Sequence, residues 1–230
     1  MSTDLQQLIA TNLTTVHERI ALAARSASRD AADVKLIAVS KAQPDERIEA
    51  ALMAGHRIFG ENRVQEAVRH WTDRRARWPD LELHLIGPLQ TNKVKQAVRL
   101  FDVIQTVDRP KLARRLADEF ATSGQTRPCY VEVNTGEEPR KAGVMPAEAD
   151  EFIEWCGNEA GLRIVGLMAI PPLDDEPSLH FALLREIAKR HRLPRLSMGM
   201  SADYEIAVEL GATDVCVGTA IFGEREIRAP

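Results

Sequence analysis

The chain has 230 residues, of which 44% are hydrophobic and 28% charged, and its formal net charge is −4. This balance is typical of a globular protein and excludes a disordered or fibrous chain. The acidic net charge and an aromatic content of 5% make nucleic acid a poor candidate partner.

Apolar residues between Leu5 and Leu22 recur mostly at three- and four-residue spacing, which predicts an N-terminal helix. The apolar run at 34–39 then predicts a buried strand. From there amphipathic stretches alternate with short apolar runs, so eight strands are predicted in all. The predicted helices are 45–54, 63–75, 91–99, 111–122, 147–159, 179–190 and 202–210, and the later strands are 57–59, 82–86, 102–107, 129–133, 164–168, 195–198 and 214–217.

The eightfold alternation of strand and helix predicts an α/β fold, a single (β/α)8 TIM barrel with an extra N-terminal helix. Four predicted helices end at a glycine (Gly55, Gly124, Gly161 and Gly211), the residue that most readily closes a helix. A doubly wound open sheet is the alternative, which strand count alone does not exclude. No linker divides the chain, so we expect one domain over residues 1–230.

The cysteines and the N-terminus bear on where the protein works. Cys129, Cys156 and Cys216 are widely spaced and form no C-x-x-C pair, so neither a disulfide framework nor a zinc site is predicted. Residues 1–10 lack the apolar core of a signal peptide. No stretch approaches the roughly 20 apolar residues of a membrane span. We therefore expect a cytoplasmic protein without a membrane or metal partner.

Functional groups of such barrels lie at the carboxyl ends of the strands. Lys41 follows the first predicted strand, where a neutral amine can form a Schiff base with a carbonyl compound; a surface lysine is the alternative. Asn62 follows the second strand, with capping-box spacing to Gln65, so a helix cap is the simpler interpretation. His84 lies within the third strand, where a hydrogen-bonded core residue is commoner than a catalyst.

Glycine-containing loops follow the last two predicted strands, at residues 197–201 and 218–223. Phosphate sites of (β/α)8 barrels recur in these two loops, because backbone N–H groups and hydroxyls there can surround an anion. Ser201 alternatively caps the helix that follows it. A phosphate site that shares a cavity with Lys41 favours a phosphorylated carbonyl compound, either pyridoxal 5′-phosphate (PLP) or the substrate of a Schiff-base aldolase.

Six motifs make a family resemblance specific. They are LIAVSK at 36–41, FGEN at 59–62 with Gln65 and Glu66, HLIGPLQTNK at 84–93, GLMAI at 166–170, LSMGMS at 196–201 and GTAIFG at 218–223. From about Leu5 to Arg225 the chain resembles the YggS/PROSC family of pyridoxal phosphate homeostasis proteins.

The resemblance implies a fold-type III barrel like the N-terminal domain of alanine racemase, with PLP held as a Schiff base on Lys41. It also implies a monomer that takes part in intracellular vitamin B6 homeostasis, with indirect effects on amino-acid and keto-acid metabolism. PLP-dependent apo-enzymes are the partners it suggests. The other implied site residues are Asn62 and His84 in the pocket, Ser201, Gly218 and Thr219 on the phosphate, and Lys141, in the loop at 134–143, in cofactor transfer.

Two features bear on catalysis. Cys216 stands where the family usually has an arginine facing the pyridine nitrogen, which puts the electronic setting of the cofactor in doubt. A PLP-dependent amino-acid racemase is the alternative function, and it needs a second acid–base group opposite the lysine. Because the sequence ends at Pro230 and neither Tyr130 nor Tyr204 is placed as that group, we expect no dedicated enzymatic turnover.

Overall fold

A computed structural model describes residues 3–224. Its eight parallel strands pair in chain order, and β1 also pairs with β8, so the sheet is a closed barrel. The (β/α)8 prediction is therefore confirmed and the open doubly wound sheet is wrong. The strands are β1 (Lys35–Val39), β2 (Ile58–Glu61), β3 (Glu82–Leu85), β4 (Val103–Val107), β5 (Cys129–Glu132), β6 (Ile164–Met168), β7 (Arg195–Ser197) and β8 (Asp214–Val217).

The helices surround this barrel. Residues 1–2 and 225–230, which include both ends of the expected domain and the end of the resemblance at Arg225, lie outside the described residues. The helices are α1 (Thr3–Ser26), α2 (Asp45–Met53), α3 (Val64–Arg77), α4 (Val94–Leu100), α5 (Pro110–Ser123), α6 (Pro146–Asn158), α7 (Pro177–Arg190), α8 (Tyr204–Glu209) and α9 (Thr219–Phe222).

The differences from the sequence prediction include the starts of two helices and one short helix that was not predicted. The helix predicted from residue 91 begins with a 3-10 turn, Thr91–Lys93, before α4. The helix predicted from residue 202 begins only at Tyr204, because the Asp203 carboxylate accepts a hydrogen bond from Met200 N at 2.6 Å and closes a turn there. The four-residue α9 was not predicted, being too short to show a helical period.

The N-terminal helix completes the outer ring of helices. Helices α2 to α8 connect successive strands, and α1 packs against α2, α8 and α9, between the first and the last of these connections. Its buried face carries Ile9, Leu13, Val16 and Ile20 at helical spacing. The helix predicted as an addition therefore takes the position of the eighth barrel helix, which α9 is too short to fill.

Two observations concern the sequence predictions about membrane spans and cysteines. Within residues 3–224 no helix is long and apolar enough to cross a membrane. Cys129, Cys156 and Cys216 are all free thiols.

The candidate cofactor site

A cavity of about 240 Å³ opens at the carboxyl ends of the strands. That is smaller than the roughly 300–1,000 Å³ typical of drug-sized ligands. Five of the predicted site residues line this cavity together: Lys41, Asn62, Ser201, Gly218 and Thr219. Cys216, Ser197 of the predicted loop at 197–201, and the unpredicted Gln105, Met168 and Ile170 also line it.

Lys41 reaches the cavity from a turn directly after β1. Ser40 N donates to Gly60 O at 3.0 Å, which extends the strand pairing by one residue. Gln43 N then donates to Ser40 O at 3.1 Å, closing a turn with Lys41 and Ala42 at its centre. Ala42 has a positive φ of 57°. The lysine therefore stands at the rim of the barrel on a sharply bent backbone.

The loops after β7 and β8 are joined through one hydroxyl. Ser201 Oγ accepts hydrogen bonds from Gly218 N at 3.2 Å and Ala220 N at 3.3 Å. The sequence interpretation in which Ser201 caps the next helix is wrong, because that position is held by Asp203. The hydroxyl instead lies against N–H groups at the start of α9, the kind of donors that bind anions.

Asn62 brings an unsatisfied polar atom to the cavity. Its Oδ1 is buried and has no hydrogen-bond partner. The residue that caps α3 is Arg63, so the helix-cap interpretation of Asn62 is wrong. A buried amide oxygen without a donor costs about 1–3 kcal/mol, so a donor that reached this oxygen would stabilise the site.

A hydrogen-bonded row of side chains lies on the inner face of the barrel, and two of its members, Gln105 and Ser197, line the cavity. Ser197 Oγ donates to Gln105 Oε1 at 2.6 Å, and Gln105 Nε2 donates to His84 Nδ1 at 2.7 Å. His84 Nε2 then lies 2.6 Å from Glu82 Oε1. The sequence analysis did not identify Gln105 as a site residue, although a lone amide side chain in an apolar strand was a signal for it.

His84 lies one layer below the cavity. It is buried and is not among the described lining residues, and its contact with the lining is the hydrogen bond from Gln105. The hydrogen bond from His84 is the main reason why the pKa of Glu82 is lowered to about 2, with Lys35 Nζ at 2.6 Å adding to the effect.

Cys216 contributes a neutral thiol to the cavity. Its Sγ lies 3.9 Å from Ser197 Oγ. Burial raises the pKa of this thiol to about 12, and the hydrogen bond with Ser197 and the nearby Lys41 only partly oppose that rise. The thiol is therefore protonated at neutral pH.

Glu132 is a second group that sequence reasoning missed. It pairs in register with the cavity-lining Met168, and its Oε2 is buried without a partner. Burial, reinforced by Asp108, raises the pKa of this carboxyl to about 8, although Arg109 opposes the rise. A carboxyl that is largely protonated at neutral pH thus lies beside the cavity.

Lys141 is not among the residues that line the cavity in the described chain. It lies in the loop after β5, where its ammonium pairs with Glu138. Asn134 Nδ2 donates to Glu138 O at 2.8 Å, which fixes the loop around that carboxylate. The structure therefore separates Lys141 from the five lining residues.

The fold and the site together define a class of barrel. Residues 11–226 match the family model described as the alanine racemase N-terminal domain. An alanine racemase from Clostridium difficile superposes with a TM-score of 0.71 over 96% of this chain and 57% of its own, at 14% identity. At that identity the likeness shows the fold alone.

Relatives of higher sequence identity show which family within this class of barrel the chain belongs to. A pyridoxal phosphate homeostasis protein of Escherichia coli K12 is 39% identical over 95% of this chain and 97% of its own. The structure of PipY from Synechococcus elongatus with PLP bound has a TM-score of 0.80 at 37% identity, covering 94% of this chain and 100% of its own. The chain belongs to the family of pyridoxal phosphate homeostasis proteins.

Proposed function

We propose that the chain binds PLP in the cavity at the mouth of the barrel and takes part in PLP homeostasis. The observation that carries this proposal is the placement of Lys41 and the joined loops around Ser201 on one cavity. PipY, with PLP bound, supports it as a relative of the same fold.

The residues of the cavity fit both the aldehyde and the phosphate of this cofactor. When bound, PLP would supply an aldehyde that can condense with a primary amine. Lys41 is the amine in the cavity, and its turn holds it at the rim. The hydroxyls of Ser201 and Thr219 would donate to the phosphate without an arginine. The N–H groups of Gly218 and Ala220 donate to Ser201 Oγ, so they leave the proton of that hydroxyl for the anion and add to the positive end of α9.

The proposal assigns no dedicated catalysis to this site. Among the described residues that line the cavity, the titratable side chains are Lys41 and Cys216. Since the Cys216 thiol stays protonated, it is a poor base. The proposal therefore includes a carrier or buffering role, in a cytoplasmic monomer that passes PLP to apo-enzymes, with Lys141 assisting the transfer.

Titration of PLP into cofactor-free protein tests the assignment. We expect the wild-type chain and the exposed control Lys95→Ala to develop the same absorption band of a lysine-bound cofactor. Lys41→Ala should develop none, because no other residue of the described lining carries an amine. An unchanged band in folded Lys41→Ala would overturn the assignment of Lys41.

A further inference from the structure

The turn that carries Lys41 is hydrogen-bonded to two carboxylates, those of Glu61 and Glu66. Ser40 Oγ donates to Glu61 Oε1 at 2.8 Å, and Ala42 N donates to Glu66 Oε1 at 2.7 Å. The two donors, Ser40 and Ala42, are the residues that flank Lys41 in the sequence. The positive φ of Ala42 is unfavourable for a residue with a Cβ, so the hydrogen bond to its amide helps to keep the turn in this shape.

Glu61 is itself rigidly fixed. Its side chain is fully buried between β2 and α3. Besides Ser40, its Oε1 accepts from His70 Nδ1 at 2.8 Å and from Trp71 Nε1 at 3.0 Å. Arg69 Nη2 lies 3.1 Å from His70 Nε2, and since a guanidinium only donates, the proton of this imidazole is on Nδ1. The carboxylate thus has three donors that keep it in place.

Glu66 is anchored differently. It lies in the first turn of α3, where a negative charge is favoured by the helix dipole. Arg69 Nη2 lies 3.9 Å from the same Oε1 that accepts from Ala42 N. The two carboxylates therefore belong to one short segment, the end of β2 and the start of α3, which packs behind the lysine turn.

We propose that Glu61 and Glu66 are positioning residues for Lys41, which hold the turn at 40–43 so that the amine meets the cofactor aldehyde. Neither is among the described residues that line the cavity, so each acts through Ser40 or through the backbone of Ala42. The inference rests on the proposed function of Lys41. It explains why two glutamates that do not line the cavity are both directed at one turn.

A metal site is the competing interpretation of the same cluster. Donor atoms of Glu61, Glu66 and His70 lie within 4.8 Å of one another. Oε1 of each glutamate already accepts hydrogen bonds, and His70 Nδ1 carries a proton. Glu61 Oε2 is buried without a partner. However, a cation that also used Oε1 of Glu66 and Nδ1 of His70 would have to displace the Ala42 amide and the imidazole proton, so the geometry favours the hydrogen-bonded role.

Two probes separate positioning from general stability. PLP reports the covalent bond to Lys41, and pyridoxamine 5′-phosphate, which has an amine in place of the aldehyde, reports the pocket without that bond. The variant is Ser40→Ala/Glu66→Ala, which removes both ties to the turn and leaves the buried Glu61 with His70 and Trp71. The matched control is Glu119→Ala, which removes a buried glutamate of α5 that pairs with Arg115 at 3.1 Å.

We expect the double variant to form the borohydride-reducible bond at least about tenfold more slowly than wild type, while its affinity for pyridoxamine 5′-phosphate stays within about twofold. The control should match wild type with both probes. An unchanged rate of bond formation, or an equal loss with both probes, would overturn the positioning role. Failure of the proposed function would be seen separately, as a wild-type protein without a reducible bond at Lys41.

Discussion

Buried polar atoms usually have hydrogen-bond partners, and Asn62 and Glu132 are among the exceptions in this barrel. Asn62 Oδ1 and Glu132 Oε2 are both buried and unpaired, and both lie at or beside the cavity. The cost of such groups is tolerated where a ligand or a proton can satisfy them. Glu132 takes the proton, because burial raises the pKa of its carboxyl.

Glu132→Gln should therefore change how stability depends on pH. The pKa of Glu132 is about 8 in the folded protein and ordinarily 4.5, so folding favours the protonated form. Its stabilising effect is complete below pH 4.5 and is lost as the pH rises through about 8. Glutamine cannot ionise, so the free energy of unfolding of the variant should rise relative to that of wild type as the pH increases over that window. The difference should reach the order of a few kcal/mol, at about 1.4 kcal/mol per pKa unit.

Urea unfolding of both proteins at several pH values between 4.5 and 8.5 measures this difference. Parallel stability curves would contradict the raised pKa of Glu132.

At the scale of elements, the site is made by the ends of strands and the loops after them. Lys41 follows β1, Asn62 follows β2, and the loops after β7 and β8 meet through Ser201. Because parallel strands bring these ends to one rim, residues far apart in sequence share a cavity. The joined loops form the part of this rim that we assign to the phosphate.

The double variant Ser201→Ala/Thr219→Val tests that assignment. It removes two hydroxyls but leaves the backbone N–H groups in place, so cofactor binding should weaken by about 2–4 kcal/mol, at about 1.5–3 for each bond to a charged group and with partial overlap. Equilibrium titration with PLP measures the loss. Thr72→Val, which removes a hydroxyl bonded to Val68 O on the surface of α3, is the control. Equal affinity of the double variant and wild type would contradict the phosphate site.

The eightfold alternation was sufficient to predict the barrel and the rim that holds the lysine. Periodicity could not show which apolar residues of α1 are buried: Ile20 is buried, whereas Leu22 is 62% exposed. It also could not show the partners of side chains that meet only across the barrel. Gln105, His84 and Ser197 come from three strands, and their hydrogen bonds depend on register between those strands.

For the whole molecule, the proposed function is binding of PLP without dedicated turnover, and the side chains of the cavity support that proposal. The polar row from Ser197 through Gln105 to His84 lies on the inner face of the barrel, and Ser197 and Gln105 line the cavity. Lys41 is the side chain of the described lining that can act as an amine base, while the thiol of Cys216 stays protonated. A racemase needs a second acid–base group across the substrate from the lysine.

We therefore expect the PLP-loaded protein to give no sustained α-deuteration of L-alanine in deuterated water, and no accumulation of the D-isomer above the background of free PLP. Chiral chromatography with mass spectrometry measures both, and Lys41→Ala with added PLP supplies the background. Steady formation of D-alanine that depends on Lys41 would favour the racemase alternative.

The central claim is that Lys41 is the residue that bonds PLP. Borohydride reduction of the PLP-loaded protein, followed by proteolysis and peptide mass mapping, tests it most directly. We predict a single stoichiometric pyridoxyl adduct on the peptide that contains Lys41, and its loss in Lys41→Ala but not in Lys95→Ala. A stoichiometric adduct on any other lysine, Lys141 included, with Lys41 unmodified, would contradict the account.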